Sequence, residues 1–188
     1  MKKEYREYMD RAYGNGCGKH RVDIAEHMDL LRLLAAECET VTEFGVRSGN
    51  STLAFALAHP TSIRSYDVDL SEMTHDAREL IRRAAGPMTR VMFIQENTLE
   101  CVISDTDLLL IDDLHTYHQV WNELKRHADK VKKYICLHDT VLYGVVGEDN
   151  SHPGIVAAIY KFLEGHKDTW RMGMNLLNQN GMIVLERV

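Results

Sequence analysis

The sequence predicts an α/β fold: a seven-stranded, mostly parallel β-sheet with helices on both faces and an antiparallel hairpin at its C-terminal end. Two observations support this prediction. Short apolar runs alternate with amphipathic segments from residue 40 onwards, which is typical of βαβ units. An Asn-Gly step in "NQNG" separates the last two apolar runs and indicates a hairpin that closes the sheet.

Strands and helices alternate along residues 40–139. Near-continuous apolar runs such as "DLLLI" indicate strands that are buried on both faces of the sheet. The predicted strands are "TVTEFGV", "SIRSYDV", "RVMFIQE", "DLLLIDD" and "KYICLHD", and the predicted helices are "STLAFALAH", "SEMTHDARELIRRAAG" and "TYHQVWNELKRHADKV". Because helices rather than tight turns separate most of these strands, we expect them to be parallel.

The last third of the chain departs from this alternation. "PGIVAAIYKFLEGH" predicts a helix that opens with Pro153, since proline is well tolerated in a first helical turn. "TWRMGMNLL" and "MIVLERV" predict the antiparallel pair. The polar segment "YGVVGEDNSH" is expected to form a loop over the strand ends.

Two helices are predicted ahead of the sheet. "KEYREYMDRAY" and "RVDIAEHMDLLRLLAAEC" place apolar residues at helical spacing, and the Gly-rich "GNGCG" separates them. We therefore expect residues 1–39 to form N-terminal helices that pack on the core and residues 40–188 to form a single globular unit. A chain of 188 residues is long enough for one sizeable core.

Composition and charge disfavour several classes of function. The formal net charge of -6 provides no general basic field for a nucleic acid. No apolar run approaches the roughly 20 residues of a membrane helix, and the charged N-terminus lacks the apolar region of a signal peptide. We therefore expect a soluble, cytoplasmic protein. We also expect reduced thiols, because Cys17, Cys38, Cys101 and Cys136 form no C-x-x-C pair.

The stretch "TEFGVRSGNS" lies where the first predicted strand ends and a helix begins. Ligands of open α/β sheets bind beyond the carboxyl ends of the strands, so this turn is a candidate ligand site. Gly45 and Gly49 let the backbone bend and approach a ligand, and one of residues 50–52 is expected to cap the helix. Glu43 would repel a pyrophosphate, and the third glycine of the dinucleotide-binding fingerprint is missing.

A second acid supports a nucleoside ligand. Asp67 ends the next predicted strand, where a carboxylate can accept hydrogen bonds from two ribose hydroxyls. Together, Glu43 and Asp67 favour a cationic adenosyl ligand without a phosphate. The alternative is that the glycine turn is a plain strand-to-helix bend.

Acidic and histidine side chains follow the fourth and fifth strands. Asp112 ends one strand, with His115 three residues later, and His138 and Asp139 end the next. Adjacent parallel strands lie about 4.8 Å apart, so Asp112 and Asp139 can reach one cation. Oxygen ligands favour Mg²⁺, whereas His138 either favours a softer ion such as Zn²⁺, Mn²⁺ or Fe²⁺ or stays outside the coordination sphere. The alternatives are helix capping by Asp113 and Asp139 and a surface position for His115.

Five segments carry a resemblance to a known family. "EFGVRSGNS", "YDVD", "LLLIDDLHTY", "CLHDT" and "NGMIVLER" resemble class I S-adenosylmethionine-dependent methyltransferases. More narrowly, the chain is similar to the metal-dependent O-methyltransferase group that includes macrolide-sugar methyltransferases and cephalosporin hydroxylase-like proteins. The resemblance covers roughly residues 40–188 and implies a Rossmann-like fold with S-adenosylmethionine as cofactor.

The resemblance also implies how the cofactor is held. The glycine turn would surround its methionine part, the acid that ends the second strand would bind its ribose, and residue 97 or 98 would border its adenine. Arg47 stands where many relatives have glycine and would pair with the methionine carboxylate. The cofactor-binding candidates are Glu43, Gly45, Arg47, Ser48, Gly49, Ser51, Asp67, Asn97, Thr98 and Asp112.

The metal site and the base are implied in the same way. Similar enzymes have an acid at the position of Asp112 and two metal ligands at those of His138 and Asp139, which implies a divalent cation, with Mg²⁺ expected. The macrolide-sugar enzymes place a histidine base where this chain has His115. His115 and Asp112 are therefore the catalytic candidates. The chain departs from its relatives at Asp113, where they usually have glycine, and at His138, where several have an acid.

The activity expected from these residues is methyl transfer to a hydroxyl. S-adenosylmethionine carries an activated methyl group, so the protein has to align and deprotonate an acceptor, which we expect to be a small hydroxylated molecule such as a sugar or a natural-product precursor. Two alternatives stay open: a metal-independent methyltransferase with Asp112 and His115 as a base pair, and a non-enzymatic module that binds the adenosyl ligand. The sequence also allows a homodimer through the N-terminal helices or the sheet edge.

Overall fold

The computed structural model describes residues 4, 6–8, 10 and 23–188. Positions 4, 6–8 and 10 are helical, and the rest of the predicted first helix, the Gly-rich segment and Cys17 lie outside the described residues. The second predicted helix begins as a 3-10 turn over Ala25–His27 and continues as the α-helix α1, Met28–Ala35. Its apolar side chains join the core beside the sheet, so this segment packs directly on the core.

Seven strands and four further α-helices follow in the described part of the chain. The strands are β1 Thr40–Phe44, β2 Ser62–Asp67, β3 Arg90–Gln95, β4 Thr106–Ile111, β5 Val131–His138, β6 Trp170–Leu176 and β7 Met182–Arg187. The helices are α2 Asn50–Ala56, α3 His75–Ala85, α4 Tyr117–His127 and α5 Ile155–Gly165. Within the described residues, no helix has the length and apolar character needed to cross a membrane.

The strands form one sheet in the order β3-β2-β1-β4-β5-β7-β6. Strands β1 to β5 are parallel, whereas β7 is antiparallel to both β5 and β6. The predicted α/β class, the seven strands and the C-terminal antiparallel pair are confirmed. The direction of winding reverses between β1 and β4, and a crevice opens at such a reversal, beyond the carboxyl ends of the strands.

Each face of the sheet has its own apolar core. Helices α1 to α3 cover one face, and α4 and α5 cover the other. Alternation along β1 places Val41 in the first core and Phe44 in the second, because successive side chains of a strand point to opposite faces. Cys38, Cys101 and Cys136 are buried and free, as expected for cysteines in apolar segments.

Two predicted details at the starts of helices are wrong. Helix α5 begins at Ile155 after Gly154, so Pro153 precedes the helix instead of opening it. Helix α2 begins directly after Gly49, and none of residues 50–52 caps it, because the hydroxyls of Ser51 and Thr52 are turned to a buried carboxylate instead.

Threonine hydroxyls cap helices α3 and α4. Thr74 accepts a hydrogen bond from Ala77 N at the start of α3, and Thr116 accepts one from Gln119 N at the start of α4. The capping role considered for Asp113 is therefore filled by Thr116.

Phe162 on α5 is fully buried against the second core, whereas Tyr160 on the same helix is 52% exposed. We expect Phe162→Ala to lower the free energy of unfolding by about 3 to 5 kcal/mol, because it leaves a cavity among well-packed side chains. Tyr160→Ala is the matched control and should change it by about 0.5 kcal/mol or less. Urea denaturation of the two variants tests this, and equal losses would contradict the packing of α5.

Candidate active site

The glycine turn connects β1 to α2 and lies against the end of β4. Gly45 has a positive φ of 83°, and a Cβ at this position would lie 2.0 Å from the carbonyl oxygen of Asp112. The two strand ends are also tied by a hydrogen bond from Asp112 N to Phe44 O, at 3.0 Å. Only glycine allows this approach, so Gly45 is required for the position of Asp112.

Glu43 lies beneath the glycine turn and is fully buried. Its carboxylate accepts hydrogen bonds from the hydroxyls of Ser51 and Thr52 in the first turn of α2. Burial raises the pKa of Glu43 to about 7, although the hydroxyls at Ser51, Ser65 and Thr52 act in the opposite direction. The side chain thus holds the start of α2 and does not line the cavity described below.

Asp67 holds the other side of the turn. Its Oδ2 accepts hydrogen bonds from Val46 N at 2.8 Å and Arg47 N at 3.1 Å, and its Oδ1 accepts one from Asp69 N. Arg47 has a positive φ of 47° and directs its guanidinium to Asp23, with Nη1 at 2.7 Å from Oδ2. Asp67, which the sequence predicts to bind a ribose, therefore positions the backbone of the turn.

A cavity of about 680 Å³ opens between the glycine turn and the ends of β4 and β5. Its lining combines residues of the turn with six carboxylate side chains from other segments. The lining residues are Asp23, Ile24, Gly45, Val46, Arg47, Ser48, Asn50, Ser51, Glu72, Asp112, Asp113, His115, Asp139, Leu142, Tyr143, Glu148 and Asn180. This excess of acids suits a cationic ligand better than a phosphorylated one.

The structure brings most of the predicted site residues to this cavity. Gly45, Arg47, Ser48, Ser51, Asp112, His115 and Asp139 line it. Glu43, Gly49, Asp67, Asn97, Thr98 and His138 are not part of the lining. Direct contact of either group with a ligand stays a prediction.

Thr98 belongs to a buried polar cluster behind the cavity. Its hydroxyl lies 3.0 Å from Asp113 Oδ2 and 2.6 Å from Glu123 Oε1, and Gln119 Nε2 donates to the same two carboxylates. Burial raises the pKa of Glu123 well above its usual value, and the charge of Asp113 raises it further. The cluster ties the segment after β3 to the segment after β4. The sequence left the role of Asp113 open. In the structure its Oδ2 accepts hydrogen bonds from Thr98 and Gln119 and so helps to join these two segments.

Asp112, His138 and Asp139, the three predicted metal ligands, lie close together and form a candidate metal-binding cluster. One ligand atom from each residue lies within 4.8 Å of the others. His138 Nδ1 is 3.0 Å from Asp112 Oδ1 and 3.2 Å from Asp139 Oδ1. Asp139 adopts a left-handed backbone conformation with φ 57°, which aspartate adopts more readily than most other non-glycine residues, and this conformation aims its carboxylate at the cluster.

The donor set fits a divalent cation. Two carboxylates and one imidazole nitrogen, Nδ1 of His138, converge, and the Oδ1 of Asp139 is buried without a hydrogen-bond partner. Two oxygen donors suit Mg²⁺ or Mn²⁺, and the imidazole nitrogen also admits Zn²⁺ or Fe²⁺. A similar group formed by His75, Asp76 and Glu79 is fully exposed and offers no enclosed site.

His115 adjoins this cluster from the cavity side. Its Nε2 lies 3.4 Å from Asp112 Oδ1 and 3.3 Å from Asp139 Oδ2. Burial alone would lower the pKa of His115, but hydrogen bonding and charge from Asp112, with Asp139 and Glu148, outweigh it and raise the pKa to about 9. Burial likewise disfavours ionised Asp112, yet the imidazoles of His138 and His115 hold the pKa of Asp112 at about 2.

Sequence reasoning missed two residues of the site. Glu148 Oε2 lies 3.1 Å from His115 Nδ1, and the Tyr143 ring stacks on the His115 ring with centroids 5.1 Å apart. Both come from the loop between β5 and α5, which the sequence placed over the strand ends without assigning its residues. No sequence signal distinguishes these side chains from other loop residues.

The buried Glu43 makes stability depend on pH. Its folded-state pKa of about 7 is above the ordinary 4.5, so the folded protein binds the extra proton between these values and stability falls as pH rises through this window. In ligand-free, metal-free protein, we expect Glu43→Gln to raise the free energy of unfolding at pH 8 by about 1 to 3 kcal/mol and to bring no gain near pH 4.5. Denaturation at both pH values tests this, with the exposed Glu164→Gln as control; a gain of equal size at both values would contradict it.

The carboxylates around His115 should raise its measured pKa. In metal-stripped protein we expect the pKa of His115 to lie near 9, and Asp112→Asn to lower it because the substitution removes the main negative partner. NMR titration of labelled histidine measures both values. The exposed Asp168→Asn variant should leave the pKa unchanged, and a wild-type pKa near the ordinary 6.5 would refute the arrangement.

Comparison with known proteins agrees with this fold. A family model described as a methyltransferase domain matches residues 42–140. No curated protein matches the sequence.

Solved structures with the same fold include two O-methyltransferases. The O-methyltransferase from Bacillus cereus, in complex with S-adenosylhomocysteine, is 14% identical with a TM-score of 0.68, over 100% of this chain and 92% of that one. TomG from Streptomyces achromogenes, an O-methyltransferase involved in tomaymycin synthesis and bound to S-adenosylmethionine, is 15% identical with a TM-score of 0.66, over 100% and 91%. The family match spans more than half of the 188 residues. The chain therefore belongs to the family of methyltransferase domains, and the predicted class I methyltransferase with a Rossmann-like fold is confirmed.

Proposed function

We propose that the protein transfers the methyl group of S-adenosylmethionine to a hydroxyl of a small molecule with the help of a divalent cation. The observation that carries this proposal is the joining of two groups of residues in one cavity. The glycine turn lines one part of it, and Asp112, His115 and Asp139 line the other. The O-methyltransferases from Bacillus cereus and Streptomyces achromogenes with the same fold support it.

The glycine turn is the proposed cofactor half. Arg47 lines the cavity and has an exposed guanidinium, so it can move from Asp23 to the methionine carboxylate of the cofactor. Ser48 and Ser51 line the same wall. The acidic surroundings favour the sulfonium and amino groups of S-adenosylmethionine.

The remaining cofactor candidates have less direct support. Asp67 accepts three backbone hydrogen bonds and can still accept one from a ribose hydroxyl, because an ionised carboxylate offers about four lone-pair sites. Glu43 acts on the cofactor through the start of α2, which it holds. Asn97 and Thr98 stay proposed as the border of the adenine because of their place after β3.

Asp112, His138 and Asp139 are the proposed metal ligands. A cation held there would supply charge that lowers the pKa of the acceptor hydroxyl. His115 is the proposed base, since its Nε2 faces the same carboxylates and its side chain is only 11% exposed. A cation would compete with protonated His115 for Asp112 and Asp139, which favours the neutral imidazole that a base requires.

Two alternatives have less support. A metal-independent methyltransferase would use the contact between Asp112 and His115 alone and would resist chelators. A non-enzymatic binding module would hold the adenosyl ligand without turnover.

The acidic cavity also argues against a nucleic-acid acceptor. A homodimer and a cytoplasmic location stay predictions from the sequence.

Calorimetric titration of S-adenosylmethionine into metal-stripped protein, with and without Mg²⁺, tests the cofactor. We expect one-to-one binding that Glu43→Ala and Asp67→Ala abolish, because both side chains hold the glycine turn. Asp168→Asn, on the exposed surface, is the control. Absence of binding by the wild type in both conditions would refute the proposal.

Methyl transfer into a panel of hydroxylated acceptors tests the metal. Asp139→Asn keeps the size of the side chain and tolerates the left-handed backbone, but it removes one charged ligand. We expect it to reduce the metal-dependent rate by about 100-fold or more, and chelation to act similarly on the wild type. Equal rates in both proteins, with or without chelator, would favour the metal-independent alternative.

A further inference from the structure

We infer that Glu148 is a positioning residue that holds the imidazole of His115 toward the reacting end of the cavity. The inference rests on the proposed role of His115. It concerns a residue outside the metal cluster and outside the predicted cofactor contacts. Glu148 comes from the loop between β5 and α5, whereas His115 comes from the loop after β4.

Three polar contacts join the two residues. Glu148 Oε2 lies 3.1 Å from His115 Nδ1 and accepts a hydrogen bond from His115 N at 3.2 Å. In return, Glu148 N donates to His115 O at 3.0 Å. One carboxylate oxygen thus holds both the ring and the backbone of the same residue, so the ring cannot turn without breaking a contact.

These contacts determine which nitrogen faces the cavity. With Nδ1 held by Glu148, the opposite nitrogen Nε2 points at Asp112 and Asp139. The Tyr143 ring stacks on one face of the imidazole at an interplanar angle of 22°. Glu148 sets the direction of the ring and Tyr143 sets its plane, which leaves Nε2 as the nitrogen available to an acceptor.

The loop that carries Glu148 is itself held by hydrogen bonds. Tyr143 N donates to Asp139 O at 2.9 Å, and Gly154 N donates to Val145 O at 2.8 Å. A Cβ on Gly154 would lie 2.3 Å from Tyr143 O, so the two ends of the loop pack as closely as backbone allows. Glu148 is therefore presented to His115 by a closed backbone arrangement and not by a mobile side chain alone.

Positioning can be separated from a charge effect by two substitutions. Glu148→Gln keeps an acceptor oxygen for Nδ1 and for the backbone N–H of His115 but removes the negative charge. Glu148→Ala removes both. Asp149→Asn is the matched control, because it removes a charge from the next residue of the same loop, whose Oδ1 accepts a hydrogen bond from Ser151 N and not from His115.

We expect Glu148→Ala to lower kcat about 10- to 100-fold while the Kd for S-adenosylmethionine changes less than about twofold. Glu148→Gln should restore kcat to within about threefold of wild type, and Asp149→Asn should match wild type. In a His115→Ala background, Glu148→Ala should cause no further loss, since its effect passes through His115. Equal losses in Glu148→Gln and Glu148→Ala, or full activity of Glu148→Ala, would overturn the inference.

A second readout does not depend on turnover. In protein with labelled histidine, we expect a downfield, slowly exchanging Nδ1–H signal from His115 in wild type and Glu148→Gln, and its loss in Glu148→Ala. Persistence of the signal in Glu148→Ala would overturn the inference even if activity changed. If wild type transfers no methyl group to any acceptor, the proposed function fails, and this signal still decides whether Glu148 holds His115.

Discussion

The close contact between Gly45 and the backbone of Asp112 is the constraint on which the rest of the site depends. Because residue 45 has no side chain, the carboxyl ends of β1 and β4 approach until a Cβ would overlap the Asp112 carbonyl. The parallel register then pairs Ile111 with Leu137, which places Asp112 next to His138. The candidate metal-binding cluster thus depends on this backbone contact, on the strand register and on the left-handed backbone of Asp139.

Two buried acids of this site have pKa values shifted in opposite directions because their partners differ. Asp112 is held ionised, with a pKa of about 2, since two imidazoles face it. Glu43 is equally buried but has only hydroxyl partners, and its pKa is raised to about 7. Negative charge is therefore favoured at Asp112, beside the proposed cation and base, more than at Glu43 beneath the glycine turn.

Different kinds of contact hold the two parts of the site in place. The glycine turn is held from below by Glu43 and from the side by Asp67, so its shape is set by buried or half-buried carboxylates. His115 lies on a loop and is held by a second loop through Glu148. The glycine turn is therefore supported by the sheet itself, and His115 by contacts between loops.

The sequence by itself determined the α/β class, the seven strands and the meeting of Asp112, His138 and Asp139. Hydrophobic periodicity is a local property, and the carboxyl ends of parallel strands necessarily share one edge of the sheet. It did not determine the contacts of Glu148 and Tyr143 with His115, the burial of Thr98 against Glu123, or the use of Asp67 as a support for the glycine turn. Each of these joins segments that are far apart in the chain and depends on loop paths and side-chain packing. Only the tertiary structure decided them, because no periodic pattern encodes where a loop residue points.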